Sequence, residues 1–348
     1  MARKFIFLIF AYFISTGILH ADESYQPLNK EQIYSMIPSE QRVVVSLAGS
    51  WRKSFDGSEW TKTEIPHSNE ESNTVYLTKT FRIDSELVRR FAWQIYFLGV
   101  NDQIEIYINE QFVGRYFGGM TPFTVKIPQR FLEGATNNIK LIIKPVSHYI
   151  EQIQSQNMTP KKSYTGVIRE MFLIGTPQVW ISDVRCNSGI IDGGNAGEIR
   201  ANVDISAGLI ERLIEAQPDS LRPTDRSKIS VSLEAELMAS AGTEPVARSQ
   251  PMTIELENER TVTKDISFRI NSPKLWSPSD PNLYYLKFKL VKNGNVLDDI
   301  GTEIGIRDIR ILQDPAKSAV FLNGKEIKLK GITYVEEHST SLGTLSPE

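Results

Sequence analysis

The chain has 348 residues, of which 41% are hydrophobic and 23% are charged, and its formal net charge is −3 at pH 7. This length is sufficient for two or three domains that each bury a hydrophobic core. A nucleic-acid-binding protein normally carries a clear basic excess, so the composition argues against a nucleic-acid partner.

The N-terminus is typical of a secretory signal peptide that covers residues 1–21. Arg3 and Lys4 precede an apolar run from Phe5 to Ile14, and Leu19-His20-Ala21 predicts cleavage after Ala21. The alternative is an uncleaved membrane anchor, but the apolar run is shorter than the roughly 20 residues that a bilayer requires. We therefore expect a secreted or periplasmic protein that has no membrane segment after cleavage.

Most of the remaining chain alternates apolar and polar residues with a period of two. Examples are Ile104–Ile108, Ile229–Leu237 and Leu286–Leu290, which predict strands with one buried face. Only two patches have a helical pattern: 30–37, which ends before Pro38, and 207–216. Many short strands separated by turn residues predict an all-β fold of antiparallel sandwiches.

The breaks between strand runs predict three units after the signal. The first is a sandwich over residues 40–176, and Gly175-Thr176-Pro177 is a predicted hinge. The second, over 177–307, has about the size of an immunoglobulin-like sandwich. In the third, over 308–348, Asn323-Gly324 has the residues of a two-residue type I′ turn, so we predict a hairpin from Val320 to Lys330 that leads into a buried strand.

Neither cysteine nor histidine indicates a cofactor or a metal site. The only cysteine, Cys186, has no partner for an internal disulfide and is predicted to be a small buried apolar residue. The four histidines do not have the spacing of metal ligands. We therefore predict no cofactor and no bound metal.

A series of short motifs follows the chain in a recognisable order. They are Leu47-Ala48-Gly49-Ser50-Trp51; Ile65-Pro66-His67; Val75–Phe81; Gly99–Asn109 with Val113-Gly114 and Gly118–Phe123; Tyr164–Arg169; Leu275-Trp276-Ser277-Pro278 with Pro281–Tyr284; Gly305-Ile306-Arg307; and Phe321–Lys325 with Leu329-Lys330-Gly331. In this order they resemble the family 2 glycoside hydrolases, which include β-galactosidases, β-glucuronidases and β-mannosidases. Glu110 departs from the family pattern, which usually has glycine there.

The resemblance implies a jelly-roll sugar-binding domain, an immunoglobulin-like sandwich and then the hairpin and first strand of a (β/α)8 barrel. In such a family a retaining reaction uses two carboxylates on later barrel strands, about 5 to 5.5 Å apart. A complete barrel needs about 250 residues, whereas 17 residues follow Gly331. The resemblance therefore implies a truncated barrel without catalytic residues in this chain, which we expect to be inactive by itself.

The end of the predicted first barrel strand supplies the candidate substrate-binding residues Glu336, Glu337 and His338. Barrel enzymes gather active-site residues at this end of their strands. Two residues depart from the family run, Thr333 in place of Asn and Val335 in place of the first His. Because that His often faces the substrate in the family, Val335 argues against galactosidase-like specificity. The alternative is a solvated loop, because the acidic pair has no identifiable base or metal partner.

Several other motif residues have both a structural and a binding interpretation. Aromatic side chains bury large apolar areas, so packing is the preferred role for four of them, with a sugar-stacking platform as the alternative: Trp51, Phe123, Trp276 and Tyr284. Gly166 is predicted to form a tight turn and Arg169 a structural ion pair.

Two classes of function fit these predictions. The first is the N-terminal portion of a secreted family 2 glycoside hydrolase that acts on a β-glycoside, represented here by a fragment or a truncated reading frame. Its partners would be the carbohydrate and either a separately encoded barrel or further copies of the chain. The second is a non-catalytic carbohydrate-binding or scaffold protein that has kept the two sandwiches.

Overall fold

A computed structural model of the protein describes residues 39, 41–69, 73–101, 103–117, 121–145, 164–210, 228–239, 244–313 and 318–332. Within these residues nearly all regular structure is β-strand, and every strand pairing is antiparallel except for one isolated parallel bridge between Leu275 and Ile306. The predicted all-β fold is confirmed. The predicted helix at 30–37 lies outside the described residues. Of the second helical patch, Ala207 ends a strand and Ile210 is helical, while residues 211–216 also lie outside the described residues.

The first sandwich consists of two main sheets and a small third one. Its elements are β1 (Val43–Ser46), β2 (Gly49–Ser54), β3 (Thr61–Ile65), β4 (His67–Asn69), β5 (Val75–Arg82), α1 (Ser85–Arg90), β6 (Ala92–Phe97), β7 (Val100–Asn101), β8 (Gln103–Ile108), β9 (Gln111–Tyr116), β10 (Phe123–Lys126), β11 (Thr136–Lys144), β12 (Thr165–Val167) and β13 (Met171–Thr176). The strand orders are β1-β13-β6-β10, β3-β2-β5-β11-β8-β9 and β4-β12-β7.

The core of this sandwich follows directly from the alternation in the sequence. Ile104, Ile106 and Ile108 of β8 are fully buried, as predicted, and they face the same core as Leu77 and Leu141. Because neighbours along a strand point to opposite faces, the residues between them form the outer face of the six-stranded sheet.

The second sandwich packs a three-stranded sheet against a larger one. Its strands are β14 (Val179–Ile191), β15 (Ala196–Ala207), β16 (Lys228–Ala239), β17 (Pro245–Arg248), β18 (Met252–Glu257), β19 (Thr261–Asn271), β20 (Trp276–Ser277), β21 (Asp280–Pro281), β22 (Tyr284–Lys292) and β23 (Asn295–Ile304). The orders are β14-β15-β19 and β17-β16-β22-β23, with β18 also paired to β16. Two sheets of this size that share one core form an immunoglobulin-like sandwich.

The connection between the sandwiches is not the hinge that the sequence predicts. Thr176 and Gln178 are 1% and 2% exposed. The Gln178 backbone carbonyl accepts a hydrogen bond from Gly208 N (2.8 Å), and its side-chain Oε1 accepts one from Leu209 N (3.0 Å). Its Nε2 donates to the carbonyl of Arg90 (3.4 Å). The chain is therefore fixed to both sandwiches where it passes between them.

The predicted hairpin forms, but it is shorter than predicted. β24 (Ile309–Leu312), β25 (Ala319–Leu322) and β26 (Lys325–Ile327) make a three-stranded sheet in which Asn323 and Gly324 have φ angles of 51° and 78°. Residues 328–332 belong to no strand, and Ile332 is 92% exposed. Of the buried strand that we expect after Lys330, only Gly331 and Ile332 are described, and the rest lies outside the described residues.

Most motif aromatics have the packing role that the sequence favours. Trp51 and Tyr284 are 2% and 5% exposed. Phe123 is half-buried between Phe97 and Tyr116, with ring centroids 4.7 and 3.6 Å away. Trp276 is also half-buried, and the Arg307 guanidinium lies 4.9 Å from its ring centroid.

Candidate functional site

The sequence-predicted site residues Glu336, Glu337 and His338 lie outside the residues that the structure describes. Their role in substrate binding therefore stays a prediction. Within the described ranges, no group of three or more His, Cys, Asp or Glu side chains is arranged to hold a metal ion. Likewise, none of the described helices is long and apolar enough to cross a membrane.

A polar cluster lies where β2 approaches the small sheet β4-β12-β7. Lys53 Nζ is 3.1 Å from His67 Nε2 and 3.0 Å from Asn69 Oδ1, and the latter two atoms are 3.1 Å apart. Burial lowers the pKa of His67, and the charge of Lys53 lowers it further. Burial also lowers the pKa of Lys53. Both effects favour the uncharged imidazole, and the cluster offers hydrogen-bonding groups next to the Ile65-Pro66-His67 motif.

Gly166 places β12 against β4 beside this cluster. A Cβ at Gly166 would overlap the carbonyl oxygen of His67. Gly166 therefore permits a close approach between two strands, and the predicted tight turn is wrong because the residue lies inside β12. Arg169 is exposed and has an interaction partner. The sequence singled out His67 but missed Lys53 and Asn69, because only strand pairing brings them together.

An open cleft of about 350 Å³ lies on the outer face of the six-stranded sheet. Its lining residues are Gly57, Trp60, Tyr76, Thr78, Glu110, Asn138, Lys140 and Ile142. Tyr76 pairs with Ile142 and Thr78 with Lys140 across β5 and β11. Tyr76 and Thr78 belong to the motif Val75–Phe81, and Glu110 is the position that departs from the family pattern. The other lining residues belong to none of the motifs found in the sequence.

Charged side chains beside this cleft pair with side chains of opposite charge. Glu105, only 6% exposed, accepts hydrogen bonds from Arg115 Nη2 (2.8 Å) and Lys144 Nζ (2.9 Å). The hydrogen bond from Lys144 is the main cause that lowers the pKa of Glu105. Lys140 forms an ion pair with Glu110 and lies 5.2 Å from the ring centroid of Tyr107.

A second cavity, of about 280 Å³, lies at the junction of the two sandwiches. Its lining includes Tyr96 and Lys126 from the first sandwich and Trp180 from β14. The Lys126 ammonium lies 5.3 Å from the centroid of the Trp180 ring, which is 4% exposed.

Beside this cavity, a buried ion pair joins the sandwiches. Asp298 accepts hydrogen bonds from Arg42 Nε (3.1 Å) and Nη2 (2.8 Å), and from the backbone N–H of Ile181 (2.8 Å). The two ion-paired side chains are 9% (Arg42) and 0% (Asp298) exposed. Burial raises the pKa of Asp298, while the contact with Arg42 and the Ile181 amide act against this shift.

The C-terminal sheet has an exposed apolar surface. Ile309, Ile311 and Leu312 of β24 are 55%, 66% and 49% exposed, and Leu329 beyond the hairpin is 73% exposed. Asn323 holds this sheet to the second sandwich, because its Nδ2 donates to the carbonyl of Trp276 (3.0 Å) and its Oδ1 accepts from Asp308 N (3.0 Å). The apolar surface therefore has a fixed position relative to the second sandwich.

The two consecutive β-sandwiches correspond to two family models. The model of the glycosyl hydrolases family 2 sugar binding domain matches residues 30–177, and the model described as glycosyl hydrolases family 2 matches residues 181–307. The chain belongs to glycosyl hydrolases family 2.

Individual relatives agree with this assignment. The chain is similar to a putative β-glucuronidase of Formosa agariphila, with 27% identity over 281 residues that cover 80% of this chain and 28% of the relative. It is also similar to a β-galactosidase of Priestia megaterium, with 24% identity over 302 residues that cover 83% of this chain and 26% of the relative. The chain thus spans about a quarter of the length of these curated relatives.

Solved structures share the fold. The crystal structure of Bacteroides uniformis β-glucuronidase superposes with a TM-score of 0.74 at 18% identity, over 88% of this chain and 37% of that protein. A putative β-galactosidase from Bacteroides fragilis gives a TM-score of 0.73 at 21% identity, over 88% of this chain and 46% of that protein.

Proposed function

We propose that the chain is the N-terminal, non-catalytic portion of a family 2 glycoside hydrolase that cleaves a β-glycoside in carbohydrate metabolism. This proposal rests mainly on the two family models, which match consecutive parts of the chain, residues 30–177 and then 181–307. Relatives described as a β-glucuronidase and a β-galactosidase support a glycoside as the substrate.

The exposed apolar surface of β24 supports a barrel domain as the neighbour of the C-terminal sheet. Exposed apolar side chains that share one face mark a surface that another body covers. Ile309 and Ile311 share one face of β24 and Leu312 lies on the other, next to the hairpin that the family resemblance assigns to the start of the barrel. In this proposal, the catalytic carboxylates belong to later barrel strands, and Glu336, Glu337 and His338 contribute to the substrate pocket that the barrel completes.

The proposal also includes export from the cytoplasm. The basic, apolar and small-residue regions of 1–21 support a signal peptide that is cleaved after Ala21. The test is the mass of the protein recovered outside the cytoplasm of an expressing bacterium. We expect a chain that begins at Asp22, and recovery of a chain that keeps residues 1–21 would contradict cleavage.

Hydrolysis of para-nitrophenyl β-glycosides tests the catalytic part of the proposal. The purified 348-residue chain is assayed on glucuronide, galactoside, glucoside and mannoside, with Glu336→Gln and Glu337→Gln as matched variants. We expect no turnover by any of them, because a retaining enzyme needs two carboxylates that flank the glycosidic bond. Turnover that either substitution abolishes would overturn the proposal.

The alternative function is a carbohydrate-binding or scaffold protein without hydrolytic activity, which the cleft beside Trp60 and Tyr76 favours. The nucleotide sequence after the Glu348 codon distinguishes the two functions. An open frame that encodes a barrel with two catalytic glutamates, and activity of that longer product, would support the hydrolase. An immediate stop codon with no barrel encoded nearby would support the binding protein.

A further inference from the structure

The outer face of the six-stranded sheet combines aromatic rings with fixed polar groups. Leu77 and Leu141 are buried in the core, so Tyr76, Thr78 and Lys140 point away from it on the alternate positions of β5 and β11. The cleft that they line has a volume of about 350 Å³. This volume falls within the roughly 300–1,000 Å³ of typical small-ligand sites.

Trp60 forms one wall of the cleft, and the turn before it is well fixed. Asp56 Oδ1 accepts hydrogen bonds from the backbone N–H groups of Ser58 (2.8 Å) and Glu59 (3.0 Å), and Ser54 Oγ accepts one from Gly57 N (2.9 Å). The hydrogen bond from the Ser58 hydroxyl is the main cause that lowers the pKa of Asp56. The indole is therefore positioned by the backbone before any ligand arrives, which reduces the entropic cost of binding.

The polar groups at the base of the cleft are also fixed. Asn138 Nδ2 donates to Thr78 Oγ1 (2.9 Å), and Thr78 Oγ1 donates to the carbonyl of Ile139 (3.1 Å). By contrast, the Tyr76 hydroxyl and the Trp60 indole N–H make no hydrogen bond to other residues in the part of the chain that the structure describes. They are available to a ligand that offers both a donor and an acceptor.

The charge of the cleft decides between classes of ligand. Its charged lining residues, Glu110 and Lys140, form an ion pair with each other, so the lining is neutral overall. Beyond the lining, the Arg52 guanidinium lies 5.7 Å from the centroid of the Trp60 ring and is in contact with that ring. A carboxylate in this cleft would have to compete with Glu110 for the lysine. The apolar face of a sugar ring can pack against the rings of Trp and Tyr. The sugar hydroxyls can form hydrogen bonds with the indole N–H and the phenol hydroxyl.

From this arrangement we infer that the cleft between Trp60 and Tyr76 binds a neutral oligosaccharide. A hexose ring contacts the indole, and its hydroxyls bond to Tyr76 and Asn138. The site is separate from the substrate pocket proposed above and does not depend on hydrolysis. It would hold the protein on a neutral glycan chain while another part of the molecule acts.

Calorimetric titration of the full 348-residue chain tests this inference. The probes are cellotetraose, a β-linked galactose tetrasaccharide and a galacturonate tetrasaccharide. We expect one neutral probe to bind, Trp60→Ala to weaken it by about tenfold or more through loss of the aromatic contact, and Trp60→Phe to restore part of the loss. Phe112→Ala is the matched control, because Phe112 is 51% exposed on the same sheet but does not line the cleft.

Each alternative result overturns the inference. No binding of either neutral probe, or binding that Trp60→Ala and Tyr76→Ala leave unchanged, would exclude the cleft as the site. Preferential binding of the galacturonate probe would contradict a neutral ligand. Size-exclusion chromatography completes the test, since a dimer that Trp60→Ala dissociates would show that a second copy occupies the face. Circular dichroism shows that each variant is folded.

Discussion

The junction between the sandwiches and the outer face of the six-stranded sheet use polar residues in opposite ways. At the junction, Asp298 and Arg42 bond to each other and to the backbone of Ile181, and both are nearly inaccessible to water. On the outer face, Trp60 and Tyr76 border an open cleft, and their polar atoms make no hydrogen bond within the described residues. The difference indicates that the junction groups serve the fold, whereas the outer groups remain available for recognition.

Asp298→Ala is the substitution that should affect the junction most. It leaves the Ile181 N–H without its acceptor and the buried Arg42 guanidinium without its carboxylate partner, and loss of one partner of a buried ion pair costs about 3–5 kcal/mol. The free energy of unfolding in urea measures the effect. Asp298→Asn is the control, since it keeps the shape and should cost less. A loss below about 1 kcal/mol for Asp298→Ala would show that the junction is not held by this pair.

Gln178→Ala should have the next largest effect, because it removes a side chain that bonds to both sandwiches. The Leu209 N–H would lose its acceptor, and an unsatisfied buried donor costs about 1–3 kcal/mol. Differential scanning calorimetry shows whether the two sandwiches still unfold in one transition. Gln129 also bonds to a backbone carbonyl but lies within the first sandwich, so Gln129→Ala is the control and should leave the two sandwiches coupled. If both variants unfold in two separate transitions, the coupling of the sandwiches does not depend on Gln178 in particular, and its proposed role is wrong.

Glu105→Gln should have a smaller effect that depends on pH. The partners of Glu105 are 41–48% exposed, and such ion pairs contribute below about 1 kcal/mol. The folded pKa of Glu105 is lowered, so its contribution is present above the unfolded pKa and is lost as pH falls through the folded pKa. The difference in unfolding free energy between wild type and variant should therefore shrink below about pH 4.5. A difference that grows on acidification would contradict this assignment.

Trp60→Ala should have the smallest effect on stability, within about 0.5 kcal/mol, as for ordinary surface substitutions. The same variant is expected to lose glycan binding, so the two measurements together separate recognition from folding. Thermal unfolding of wild type and variant measures the first quantity. A loss comparable to that of Asp298→Ala would mean that Trp60 belongs to the fold, and the contrast between the two regions would fail.

Much of the fold could be predicted from the sequence, whereas the sites could not. The alternation of Ile104, Ile106 and Ile108 predicts a buried strand, and Asn323-Gly324 predicts the turn that the structure contains. The junction pair joins residues 256 positions apart, and no local pattern contains that information. The cleft could not be predicted for the same reason, since Trp60 and Asn138 line one cleft only because of the order of strands in the sheet.

Other predictions depended on context that local patterns lack. Gly175-Thr176-Pro177 has the composition of a hinge, but burial and the contacts of Gln178 fix it in place. Cys186 is half-buried rather than fully buried, because it packs against the second core from β14, which is the edge strand of its sheet. The predicted roles of Glu336, Glu337 and His338 stay predictions.

The central proposal is that residues 1–348 contain no catalytic nucleophile, and covalent labelling tests this proposal most directly. A crystal structure shows Bacteroides uniformis β-glucuronidase 2 covalently bound to cyclophellitol-6-carboxylate aziridine. We would incubate the 348-residue chain with this aziridine and with its neutral gluco and galacto counterparts, and measure the intact mass, with that enzyme as the positive control. The account predicts an unmodified chain with every probe. A mass increase of one adduct, located on Glu336 or Glu337 and absent from the corresponding glutamine variant, would contradict it.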